Sequence, residues 1–177
     1  MKPNPPKLAI AIFVSLYFFT IVYNPMTDGL WNFLNFVDLP IHETGHLIFR
    51  LLGEFMMIAG GSLFQIILPA VFVGYFVRKE QYFSASLVLF WVGQSILNVW
   101  VYADDAVRMQ LVLTSGMTGS EGSFHDWNYL LTETGLMGYH KAVSGLIRVA
   151  GTLTIFAASG LSIYLSFEPA DESGKAI

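Results

Sequence analysis

The stretch "DLPIHETGHLIFRLLG", Asp38 to Gly53, places His42, Glu43 and His46 within an otherwise apolar run. On a helix, positions i and i+4 lie one turn apart on the same face. Two imidazoles so placed can hold one metal ion. Glu43 follows the first of them and reaches a water on that ion rather than the ion itself. This is the H-E-x-x-H arrangement of zinc hydrolases. A bound metal lowers the pKa of its water to about 7, and the glutamate carries the proton. A five-residue pattern also arises by chance, so the setting has to decide. An ionisable group at the centre of a membrane helix costs about 2.5–3.5 kcal/mol on insertion scales. Three such groups within five positions need compensation, which a metal and its partners would supply. The competing reading is a helix that merely borders the membrane surface.

A catalytic zinc takes three protein ligands and keeps one position open. The candidates for the third are His125, Asp126, Asp104, Asp105 and His140. In "HDW", His125 and Asp126 follow a glycine-rich loop able to fold them back toward the histidine pair. The reading takes His125 as third ligand. Asp126 is next, as ligand or as the carboxylate that orients an imidazole. The plainer account of "HDW" is a helix start with an early acid and an interfacial tryptophan. His140, beside Lys141, reads as an ordinary interfacial residue.

A further polar set lies in "GQSILNVWVYADD". Gln94, Asn98, Tyr102 and Asp105 are spaced by four, four and three, which makes one helical stripe turned away from lipid. Such a stripe serves as an active-site wall or as glue between membrane helices. Gln65 is a similar lone polar residue, and Asp104 and Asp105 also suit a membrane exit.

The elements that must position these groups are membrane helices. Charged residues make up only 12% of the 177 residues and apolar ones 54%, with a mean hydropathy of +0.57. Soluble domains carry about 25% charged residues. The expected class is therefore an all-α, polytopic integral membrane domain over residues 1–177. The net charge of −4 gives no sign of a nucleic-acid partner, and the lack of cysteine excludes disulfides and thiolate ligands. Any metal must use His, Asp or Glu, which suits Zn2+.

Five spans are expected, at about 8–24, 30–52, 62–77, 82–103 and 142–167, each near the roughly 20 apolar residues that a bilayer requires. The first reads as a retained helix rather than a cleaved signal, because no small-x-small site follows it. Pro40 lies inside the second, so the zinc-site helix is expected to begin near it. Gly60 and Gly61 are expected to break the chain before the third span, leaving "GEFMMIAGG" as a hairpin or re-entrant stretch. A loop with a short helix fills 109–140, and the tail "EPADESGKAI" reads as frayed. No internal repeat is found, which argues against a transporter. With the N-terminus inside, Lys2, Lys7, Arg50, Arg108 and Lys141 fall inside, and Arg78, Lys79 and Lys175 outside. His46, Asp104 and the His125 loop would then share the inner side, with a polar cavity opening there.

"HETGH" within a hydrophobic segment, followed by "GGSLFQIILP" at the next span, resembles the site-2 protease family of intramembrane zinc metalloproteases. The resemblance covers roughly 40–77. It implies that His42 and His46 bind zinc and that Glu43 is the general base. It makes Gly45 the small residue that lets helices pack closely, and puts Gln65 where the family often has asparagine. The family's third ligand is an aspartate in a late L-D-G motif, which this chain lacks; its one Asp-Gly pair, Asp28-Gly29, precedes the histidines. "FHDWNYLL" stands where that motif is expected. With "GQSILNVWVYADDA", it looks like a bacterial membrane-protein branch distantly related to the family.

The function expected is a zinc-dependent hydrolase in the membrane, in a bacterial inner membrane by the resemblance. Its partners would be membrane lipids and a membrane-segment peptide or lipid substrate. The alternatives are a zinc-dependent lipid amidase or esterase, and a non-catalytic metal-binding membrane protein. The oligomeric state is not legible.

Overall fold

The computed structural model describes residues 2–26 and 32–168. The expected turn residues 27–29, the expected start of the second span at Leu30, and the tail from Pro169, with Lys175, lie outside the described residues.

Six α-helices form the described fold: α1 (Pro5–Tyr23), α2 (Leu34–Phe49), α3 (Glu54–Arg78), α4 (Tyr82–Asp104), α5 (Asp126–Glu133) and α6 (His140–Tyr164). The all-α class is as expected. Two-residue strands, β1 (Lys2–Pro3) and β2 (Phe167–Glu168), pair antiparallel, with Lys2 opposite Glu168. Helix α1 starts at Asn4, whose side chain accepts from the Lys7 N–H at 3.2 Å, and prolines fill its first two positions.

Among the described residues, four helices are long and apolar enough to cross a membrane: α1, α3, α4, and α6 with the turn before it. Their outward faces carry Phe13, Leu16, Val71, Leu146 and Leu153, all well exposed. Phe18, Ile21, Phe90, Leu97, Ile155 and Ala158 form the core between α1, α4 and α6. This inverted pattern, apolar outside as well as inside, is what a lipid solvent permits.

The contacts between helix ends give the directions of the four candidate spans. Pairing of β1 with β2 puts the start of α1 at the end of α6. The Lys7 ammonium lies 5.9 Å from the Phe83 ring, so α1 and α4 start side by side. Lys141 and Ser144 bond Asp104, so α4 ends where α6 starts. Hence α1 and α4 run one way and α3 and α6 the other. The end of α1 and the start of α3 lie at the same end of the bundle. Among the described residues four candidate spans stand where five were expected, and α2, at 16 residues, is not one of them. Its N-terminal half reaches the middle of α4, where Asn35 and Asp38 meet Trp91, Gln94, Ser95 and Asn98.

Two expected breaks are absent. Helix α2 runs through Pro40. The turn before the proline is tied to α4 by Asn35 and Asp38, which outweighs the missing N–H donor. Gly60 and Gly61 sit inside a continuous α3. They are the surface on which α2 lies: a Cβ at Gly45 would overlap the Gly60 carbonyl, and one at Gly61 would come within 2.5 Å of the His42 ring. The glycines bring two backbones together rather than ending a helix. The expected short helix in the loop is α5.

Candidate metal centre

The site forms where the C-terminal half of α2 crosses α3 and meets the first turn of α5. His42 and His46 lie one turn apart on α2, with ring centroids 4.8 Å apart. The His42 Nδ1 lies 2.9 Å from Gln65 Oε1, and the His46 Nδ1 lies 2.9 Å from the Met57 carbonyl. Both partners are acceptors, so both Nδ1 atoms carry hydrogen. The two Nε2 atoms then face Asp126 Oδ2, at 3.0 Å from His42 and 3.2 Å from His46. These three ligand atoms lie within 4.8 Å of one another. Each is an electron-pair donor. Three donors converging in a largely buried place require protons or a cation among them, and two imidazoles with one carboxylate suit a divalent ion of borderline softness.

Gln65 is oriented in turn. Its amide donates to the Ser95 carbonyl at 3.2 Å and to Asn98 Oδ1 at 3.1 Å. Asn98 and Gln94 both donate to Asn35 Oδ1, at 3.1 and 2.9 Å. A chain of amides therefore runs from α2 through α4 to α3 and ends on His42. Beside it, Asp38 is 1% exposed and accepts from the Trp91 indole at 2.8 Å and the Ser95 hydroxyl at 3.2 Å.

Helix α5 is held at each of its first three residues. The Asp126 N–H donates to the Tyr102 oxygen at 3.0 Å. The Trp127 indole donates to Ser62 Oγ at 3.0 Å, and Asn128 Nδ2 to the Ala106 carbonyl at 2.9 Å. These ties to α3, to α4 and to the residue two beyond α4's end fix the Asp126 carboxylate over the histidine pair. Burial pulls its carboxyl upward, and when both imidazoles are charged and carry a proton on Nε2 as well, their hydrogen bonds more than offset this and hold it below the usual carboxylate range.

The sequence reading favoured His125 for the third place; the structure brings Asp126 there instead. His125 caps α5, its Nδ1 accepting from the Asn128 N–H at 3.2 Å. Its ring packs on Tyr102 with centroids 4.4 Å apart, and its Nε2 lies 3.5 Å from Asp105 Oδ2. Burial pushes its pKa down, against the pull of Asp105. Asp105 also accepts from the Leu111 N–H at 2.9 Å. Asp104 binds Lys141 at 2.8 Å, Ser144 at 2.9 Å and Arg108 at 3.5 Å. His140 Nδ1 lies 3.3 Å from the Met137 carbonyl. Asp104, Asp105 and His140 thus brace the loop and the start of α6.

A cavity of about 620 Å³ opens beside the three ligand atoms and is lined by Glu43, Gln65, Asn98 and Tyr102 as well as by His42, His46 and Asp126. Glu43 thereby faces the space that a ligand of the ion would occupy. The stripe on α4 divides its labour: Asn98 and Tyr102 line the cavity, Gln94 and Asn98 bind α2, and Asp105 locks the loop. Asn35 and Asp38 were missed in the sequence. Residues 35, 38, 42 and 46 are spaced by three, four and four, a stripe that signals one polar face. The Met57 carbonyl leaves no such signal.

Comparison with protein families, with curated proteins and with solved structures finds no match to this chain.

Proposed function

We propose that the protein is a membrane-embedded, zinc-dependent hydrolase, of the intramembrane metalloprotease kind, that cleaves an amide bond. One observation carries the reading: His42 Nε2, His46 Nε2 and Asp126 Oδ2 converge at the cavity that Glu43 lines. His42, His46 and Asp126 would hold the ion, and among the described residues the cluster has no fourth protein ligand, which leaves room for water or substrate. Zinc bound there acidifies water and polarises a carbonyl. Glu43 takes the proton of the attacking water and returns it to the leaving nitrogen. Gln65 and the Met57 carbonyl keep both imidazoles turned toward the ion.

The membrane setting follows from the four apolar helices, and a bacterial inner membrane is the proposed host. A membrane-segment peptide would unwind to present its carbonyls, since a helix keeps them bonded. The apolar part of the lining, including Phe36, Leu39, Val101 and Leu113, favours a second reading in which the substrate is an acyl amide or ester of a lipid.

Glu43→Gln tests the enzyme reading. The variant is expected to keep its metal and to lose at least about 100-fold in turnover of apolar fluorogenic peptides or of a fluorescent acyl-amide lipid. Whichever probe the unsubstituted protein cleaves identifies the substrate class. Equal turnover by the Glu43→Gln variant would leave a metal-binding protein without this chemistry.

A further inference from the structure

Resting on the hydrolase reading, we propose that Tyr102 is a catalytic residue, the hydrogen-bond donor that stabilises the oxyanion formed when water adds to the substrate carbonyl. Tyr102 stands in the last turn of α4 and lines the cavity shared by Glu43, His42, His46 and Asp126. Its ring is held by aromatic contacts, 4.4 Å from the His125 ring and 6.0 Å from the His42 ring. Its oxygen is an acceptor, taking the Asp126 backbone N–H at 3.0 Å. Phenol hydroxyls in buried places ordinarily donate to a protein acceptor. Here the acceptor role is filled, and the hydroxyl hydrogen has no bonded acceptor among the described residues.

Three features suit this hydrogen to an oxyanion. The bond from Asp126 fixes the oxygen beside the residue whose carboxylate faces the histidines. Accepting an N–H polarises the phenol and strengthens its own O–H as a donor. Two other polar side chains on the lining are committed elsewhere: Gln65 gives its amide N–H groups to Ser95 and Asn98, and Ser123 pairs with Ser115 at 2.8 Å.

The step balances without further reactants. The water oxygen forms a bond to the carbonyl carbon, and the π pair moves onto the carbonyl oxygen. Glu43 takes the water proton. Tyr102 donates a hydrogen bond to the new oxyanion and remains protonated. On collapse the C–N bond breaks, and the proton passes from Glu43 to nitrogen.

The test uses the full-length protein loaded with Co2+ and titrated with acetohydroxamate, whose anionic oxygen stands in for the oxyanion. The visible cobalt spectrum reports binding. Tyr102→Phe keeps the ring packing and removes only the hydroxyl. We expect it to hold cobalt as the unsubstituted protein does, to bind acetohydroxamate at least tenfold more weakly, and to lose about 100-fold in kcat with KM little changed on the probe that the unsubstituted protein cleaves. Unchanged hydroxamate affinity with metal in place would overturn the Tyr102 assignment alone. Loss of cobalt from Tyr102→Phe would overturn it too, showing that the hydroxyl only positions Asp126. Full turnover by Glu43→Gln would instead remove the hydrolase reading on which the assignment rests.

Discussion

Each imidazole of the site has one nitrogen committed to the protein and one directed at Asp126. That division is set by Gln65 for His42 and by the Met57 carbonyl for His46. Replacing Gln65 by Leu removes the partner of one Nδ1 and frees the ring to turn. Such outer partners are worth about 10–100-fold in metal affinity, and competition with a chromogenic chelator should show a loss in that range. His125→Ala should behave differently. It deletes an N-cap and a ring contact, costing about 1 kcal/mol of stability, and should leave metal affinity nearly unchanged. His42, Glu43 and His46 were legible from spacing alone. The choice between His125 and Asp126 was not. Adjacent residues at a helix start point in different directions, and the cap bond to Asn128 that turns the imidazole away is a matter of local backbone geometry.

At the scale of elements, the crossing of α2 on α3 decides whether the site exists. Gly45 and Gly60 allow the backbones to touch, and a side chain at either has no space. Gly45→Val should therefore cost more than the 1–3 kcal/mol typical of overpacking, read as a fall in thermal stability in detergent together with loss of bound metal. Asp38→Leu tests the other anchor of α2. It leaves the Trp91 and Ser95 donors without their acceptor in a buried place, at about 1–3 kcal/mol each. Most helices were visible in the sequence as apolar runs. Gly60-Gly61 and Pro40 misled because local propensity disfavours a helix there, while packing of α2 against α3 and its bonds to α4 override it. The resemblance pointed to Gly45 as a close-packing residue, but not to Gly60 as its partner.

At the scale of the whole molecule, direction matters more than number. Apolar runs reveal how many segments enter a membrane but not whether each comes out on the far side. Segment 30–52 has the composition of a span, while α2 runs only 16 residues, from beside the middle of α4 to the start of α3. One consequence concerns which ends share a side. Lys2, Lys7, Arg78 and Lys79 share one end, and Arg50, Arg108, Lys141 and Arg148 lie toward the other, which is the end of the metal site. Four basic residues toward each end give no charge bias, so labelling has to read the sidedness. The chain has no cysteine, so single replacements report cleanly. Cysteines at Lys2 and Glu80 should react with a membrane-impermeant maleimide from the same side, and one at Ser120 from the opposite side. Labelling of positions 2 and 80 from opposite sides would restore a fifth crossing.

The central claim is that His42, His46 and Asp126 together hold one metal ion. Elemental analysis of the purified full-length protein, beside His42→Ala and Asp126→Ala, tests it most directly. The account predicts one zinc per chain in the unsubstituted protein and little or none in either variant, with helix content preserved. Full zinc occupancy in Asp126→Ala, or an unsubstituted protein that takes up no metal when offered it, would contradict it.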